Sequence, residues 1–182
     1  MGDIADYGLY FISLIGVALG IYIAFYWQTM PVLQIMSCLF YIGLVLHEWE
    51  EIRYPGGFLE MMGDRMGVTA PRSAHVIAYC LIIVLALVPV FFPTIIWLVL
   101  APMFLGLIEA LMHFVGIKIM KREKFYTPGL VTAWVFLLPV SLYTIYFVLA
   151  NNLAVSLDWL FGLAYFIVSF GVMEVLIRRM TQ

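Results

Sequence analysis

Two short stretches of this chain carry side chains able to do chemistry. The first is His47-Glu48-Trp49-Glu50-Glu51, in which His47, Glu50 and Glu51 stand at i, i+3 and i+4. That spacing sets an imidazole and two carboxylates on one face of a helix. Glu48 falls off this face and is expected to point toward water or headgroups. The second stretch pairs Glu109 with His113 at i, i+4, with Gly106 and Gly116 close by to let another helix approach. Imidazole with carboxylate is a ligand set for Zn, Fe or Mn, and helical bundles build metal sites from Glu and His on facing helices. His75 and Glu174, expected at the same level on two further helices, extend the candidate ligands to His47, Glu50, Glu51, Glu109, His113, His75 and Glu174. Glu50, Glu51 and Glu109 are the candidate catalytic groups, one of them a general base with a pKa raised by burial.

Each residue also has a plainer reading. His75 suits an interfacial or hydrogen-bonded histidine near a helix end. Glu174 suits an ion pair with Arg178 at i, i+4, and Glu109 with His113 suits a structural hydrogen bond. Asp158 stands alone near the outer end of the last helix, where an acid complements the helix dipole. What the plainer readings leave unexplained is three ligands on one face opposite a second such pair. The pattern is not the zincin His-Glu-x-x-His, because Glu51 holds the place of the second histidine.

The elements that must position these groups follow from composition. Of 182 residues 65% are hydrophobic and 11% charged, against about 25% charged in a soluble domain, so the chain is expected to be an integral membrane protein. Nine basic and eleven acidic residues give a net charge of -2, which supplies no basic face for nucleic acid. Cys38 and Cys80 lie in apolar runs without CxxC spacing and read as small buried hydrophobes. The start, with Asp3 and Asp6, lacks the positive region of a signal peptide, so the first segment is expected to be retained.

A helical span needs about 20 mostly apolar residues. Six stretches qualify, roughly 8 to 28, 31 to 50, 73 to 92, 94 to 118, 128 to 150 and 153 to 177. The expected fold is therefore all-α, one polytopic transmembrane bundle over residues 1 to 182. Pro89, Pro102 and Pro139 fall inside spans, as membrane helices tolerate when neighbours satisfy the freed carbonyls. With six spans every lysine and arginine falls on the side of the two termini, and the positive-inside rule makes that side cytoplasmic. The histidines and all the carboxylates of the proposed cluster then lie in the cytoplasmic half of the bundle.

The block Leu46 to Glu51, followed by Tyr54-Pro55-Gly56-Gly57-Phe58, resembles the HXXEE family of small bacterial membrane proteins. Glu109 with His113 and the block Tyr126-Thr127-Pro128-Gly129-Leu130 with Thr132 resemble it too, so the likeness covers roughly residues 30 to 140. It implies a polytopic protein of a bacterial cell membrane with a polar motif, and it supplies no reaction. The residues themselves predict a membrane enzyme with a divalent metal, Zn, Fe or Mn, acting on a lipid or isoprenoid. Hydrolysis is the first reading and di-iron redox chemistry its variant. The alternatives are a proton-coupled transporter using the same His and Glu as a relay, and a structural membrane subunit.

Overall fold

The computed structural model describes residues 4–58, 60–61, 74–119 and 125–180. Among the described residues the chain is all-helical, with six helices long and apolar enough to cross a membrane. Backbone N–H and C=O groups find no water in hydrocarbon, so each span must satisfy its own. We number them α1 (Ile4–Tyr26), α2 (Val32–Ile52), α3 (Ala74–Phe91), α4 (Ile96–Ile119), α5 (Leu130–Ala150) and α6 (Ser156–Met180). These spans match the six expected ones to within a few residues at each end.

Helix α2 is the centre of the bundle and packs against α1, α3, α4 and α5. Tyr41 ties it to α1 by donating to the Ile12 carbonyl at 3.1 Å, and Trp49 does so again by donating to Ser13 Oγ at 2.8 Å. Gln34 donates to the Val90 carbonyl of α3 at 3.0 Å. Arg53, just past α2, pairs with Asp6 of α1, which fixes these two ends on one side. At the other side of the molecule α6 lies along α4 and α3, and most of its surface is free for lipid. Exposed Leu14, Phe25, Tyr146 and Val168 belong to that lipid-facing exterior.

The internal prolines have two solutions. Pro89 and Pro139 each follow a widened helical turn, Ile83–Leu87 and Ala133–Leu137, which absorbs the missing N–H and the ring's clash with the turn before it. In α3 the Val84 carbonyl is then free to accept from Tyr165 of α6 at 2.9 Å. Pro102 sits within a continuous α4. Cys38 is buried as expected, but Cys80 is exposed: α3 is at the edge of the bundle, and this position faces outward. Asp158 accepts the Val155 N–H at 2.9 Å at the start of α6, the helix-start role expected of it.

Candidate metal centre

Four side chains from α2 and α4 converge at one end of the bundle. His47 Nε2 and His113 Nε2 face each other at 3.4 Å. Glu51 Oε1 lies 3.5 Å from the first and 3.2 Å from the second. Glu109 Oε2 lies 3.8 and 3.6 Å from the same two atoms. Both imidazoles are buried, Glu51 is nearly so, and Glu109 is partly exposed. Ligands around a tetrahedral ion with bonds of about 2.0–2.1 Å are separated by about 3.3 Å. The measured separations sit close to that value, and the ligand atoms of His47, Glu109 and His113 all lie within 4.8 Å of one another.

The tautomers follow from the hydroxyls behind each ring. Thr132 Oγ1 lies 2.6 Å from Glu50 Oε2 and donates its one proton there. To His47 Nδ1, at 3.0 Å, it can therefore only accept, so Nδ1 carries a proton and, in the neutral ring, Nε2 presents a lone pair. His113 repeats the arrangement. Its Nδ1 lies 3.2 Å from Thr127 Oγ1, which donates back to the His113 carbonyl at 3.4 Å. Two imidazole nitrogens and two carboxylates thus converge on one small volume, and with neutral rings the nitrogens offer lone pairs. Such a set repels itself and is relieved by a cation, and hydrogen bonds from the far nitrogen are the usual support of metal-bound histidine. The residues present fit a divalent ion.

The start of α5 holds this machinery in place. Glu50 accepts from the Val131 N–H at 3.2 Å, the Thr132 N–H at 2.8 Å, the Thr132 hydroxyl and the Tyr126 hydroxyl at 2.8 Å. A carboxylate from α2 therefore satisfies the orphan N–H groups of α5 and complements its dipole. Burial, and then the bond to Glu50, push the Tyr126 phenol above the usual tyrosine range. Gly129 has φ 95°, and its Cα presses against both rings. A Cβ there would stand 2.7 Å from His113 Nε2 and 2.7 Å from His47 Cε1.

The cluster opens into a chamber of about 300 Å³ between α2, α3, α4 and α6. His47, Glu48, Glu51, Glu109 and His75 line it, and its remaining walls are apolar, with Phe58 tilted over the His113 ring at a centroid distance of 5.4 Å.

The sequence-predicted residues thus fall into groups. His47, Glu51, Glu109 and His113 come together. Glu50 does not join them and faces α5. His75 lines the chamber at its α3 wall, stacked at 6.3 Å on Tyr79, outside the four-residue cluster. The side chain of Glu174, and with it the expected pair with Arg178, lies outside the described residues, as do Arg65, Arg72, Lys121, Arg122 and Lys124. Glu48 does not reach water. It is 8% exposed, and among the described residues its carboxylate has no hydrogen-bond or ion-pair partner. The cause is that α2 packs against four helices, and position 48 faces the chamber between α3, α4 and α6 rather than the exterior. Thr127, Thr132 and Gly129, which support the rings, had been visible only as part of a turn block.

A family model described as "Protein of unknown function with HXXEE motif" matches residues 38–144, a stretch that contains all four clustered residues. No curated protein and no solved structure matches the chain.

Proposed function

The chain belongs to the HXXEE family, whose description assigns no function, and from its site we propose a membrane-embedded, metal-dependent enzyme acting on a lipid or isoprenoid. The observation that carries this reading is the pair of Nε2 atoms facing each other at 3.4 Å, each ring held by a threonine and flanked by Glu51 and Glu109. His47, Glu51, Glu109 and His113 are the ligands we assign to a Zn, Fe or Mn ion. Bound there, such an ion supplies Lewis acidity and an activated water.

The protein groups divide the remaining work. Glu50, saturated by four donors, positions α5 and orients His47 through Thr132. Glu48 lines the chamber without a partner and is the carboxylate able to accept a proton from an attacking water and return it to a leaving oxygen. His75 stands at the far wall, placed to meet a substrate's polar head. The apolar walls exclude bulk water and favour a hydrocarbon-bearing substrate, with hydrolysis of an ester or phosphoester as the reaction. Two irons or manganeses would shift the same ligands to redox chemistry. We further propose that the termini face the cytoplasm of a bacterial cell, a reading supported by the grouping of every basic residue on one side.

A shared proton is the second reading, since 3.4 Å also suits a weak N–H···N bond between the two rings. It leads to a relay. Elemental analysis of protein reconstituted in nanodiscs, beside His47→Ala and Glu109→Gln variants, separates the two. Near-stoichiometric Zn, Fe or Mn that both variants lose supports the enzyme reading. Metal-free protein after supplementation with all three overturns it in favour of the relay.

A further inference from the structure

A second cavity, of about 260 Å³, lies on the outer surface between α3 and α6. Its walls are almost wholly apolar, formed by residues such as Ile77, Cys80, Val84, Val168 and Val172. Several of these are exposed, so the groove opens sideways into the lipid. Leu81 and Met173 line this groove and also line the chamber that holds the metal cluster. The two spaces are therefore neighbours, divided by two flexible apolar side chains. Nothing polar in the divide opposes the passage of a hydrocarbon.

We propose that the α3–α6 groove is the lateral entrance and binding site for a single hydrocarbon chain of the substrate, with Leu81 and Met173 as its gate. This rests on the reading of the cluster as a site for a lipid or isoprenoid and says how such a molecule reaches it. Taking water's share of the liquid, roughly 30 Å³, as the yardstick for one methylene, the two spaces together hold on the order of twenty carbons. The chain lies along Val84, Cys80 and Val168, passes between Leu81 and Met173, and delivers its polar head to Glu48, Glu51 and Glu109. Tyr165, donating to the Val84 carbonyl, pins α6 to α3 beside the groove and keeps its width fixed. The methionine at the gate is unbranched and adapts its shape, which suits a door that must open for a chain and close behind it.

The test uses the full chain in phosphatidylcholine nanodiscs with hexadecanol carrying a photoactivatable diazirine beside its hydroxyl end, and maps the labelled residues by mass spectrometry. Annular lipid labels lipid-facing residues such as Leu14 and Val17 of α1. Labelling of the buried chamber residues Leu44 and Leu105 requires passage inside. We expect chamber labelling in the wild type, a fall of at least five-fold in Leu81→Trp, a rise in Met173→Ala, and an unchanged annular pattern on α1 in both. Equal chamber labelling in wild type and a folded Leu81→Trp overturns the proposal. If the tryptophan variant shows a disturbed annular pattern, Met173→Ala decides, and unchanged chamber labelling in it overturns the gate. The metal reading fails separately: chamber labelling in protein that takes up no Zn, Fe or Mn on supplementation leaves the groove standing and removes the metal centre, whereas metal-loaded protein without chamber labelling does the reverse.

Discussion

His47 and His113 meet edge to face, with ring centroids 4.9 Å apart, planes at 83° and Nε2 atoms 3.4 Å from one another. They come from two different helices, and a threonine stands behind each ring at the start of α5 or just before it. The pair is thus the product of three helices, and its geometry depends on residues that touch no ligand.

Thr132→Val tests that dependence. The change keeps the shape of the side chain and removes the oxygen that accepts from His47 Nδ1 and donates to Glu50. Supporting groups of this kind are worth about 10–100-fold in metal affinity. Zinc affinity in a competition assay is expected to fall by an amount in that range while helix content is retained. Affinity unchanged from wild type would mean that His47 is not oriented by this bond.

Gly129 gives a sharper prediction. At φ 95° any other L residue is strained by about 1–2 kcal/mol, and its Cβ would enter the space of both imidazoles. Gly129→Ala is expected to lower thermal stability by an amount of that order and to abolish stoichiometric metal binding. Gly57→Ala serves as the control: φ there is 87°, yet among the described residues no atom beyond its chain neighbours lies within 4 Å of the would-be Cβ. That variant should show the backbone strain and still bind metal.

How much of this was legible beforehand depended on whether one helix or several decided it. The six spans were legible because hydrocarbon leaves an apolar chain few choices. Glu109 with His113 was legible as well, since i, i+4 lies on one side of a single helix. The HxxEE face was read too broadly. At about 100° per residue Glu51 lies about 40° from His47 and Glu50 about 60° to the other side, so the two glutamates enter different gaps between helices. Which gap holds the cluster depends on where α4 and α5 sit around α2, and neither spacing nor composition encodes that. The fate of Glu48 was lost for the same reason, because the neighbours of α2 decide that this position faces the chamber and not the exterior.

That split predicts different phenotypes for neighbouring glutamates. Glu50→Ala removes the acceptor of two backbone N–H groups and two hydroxyls, and hydrogen bonds to a charged group contribute about 1.5–3 kcal/mol. Its main effect is expected on thermal unfolding, with metal affinity weakened through Thr132. Glu51→Gln leaves those bonds intact and is expected to lose metal with little loss of stability. Thermal unfolding and metal content measured on both variants check the contrast, and identical profiles would mean that the two carboxylates act as one unit.

Glu48 carries a prediction of opposite signs. A carboxylate that is 8% exposed and has no partner among the described residues is costly to hold in its charged form beside Glu51 and Glu109. Glu48→Gln removes this cost, so the metal-free variant is expected to unfold at a higher temperature than wild type. The same charge favours a cation in the chamber, so the variant is expected to bind zinc more weakly than wild type while retaining stoichiometry. Its hydrolytic turnover, once a substrate is in hand, should fall by about 10²–10⁴-fold, the usual contribution of a positioned base. A group kept at a cost to the fold is of the kind that function retains. A variant less stable than wild type without metal would instead make Glu48 a structural residue and pass the role of base to Glu51 or Glu109.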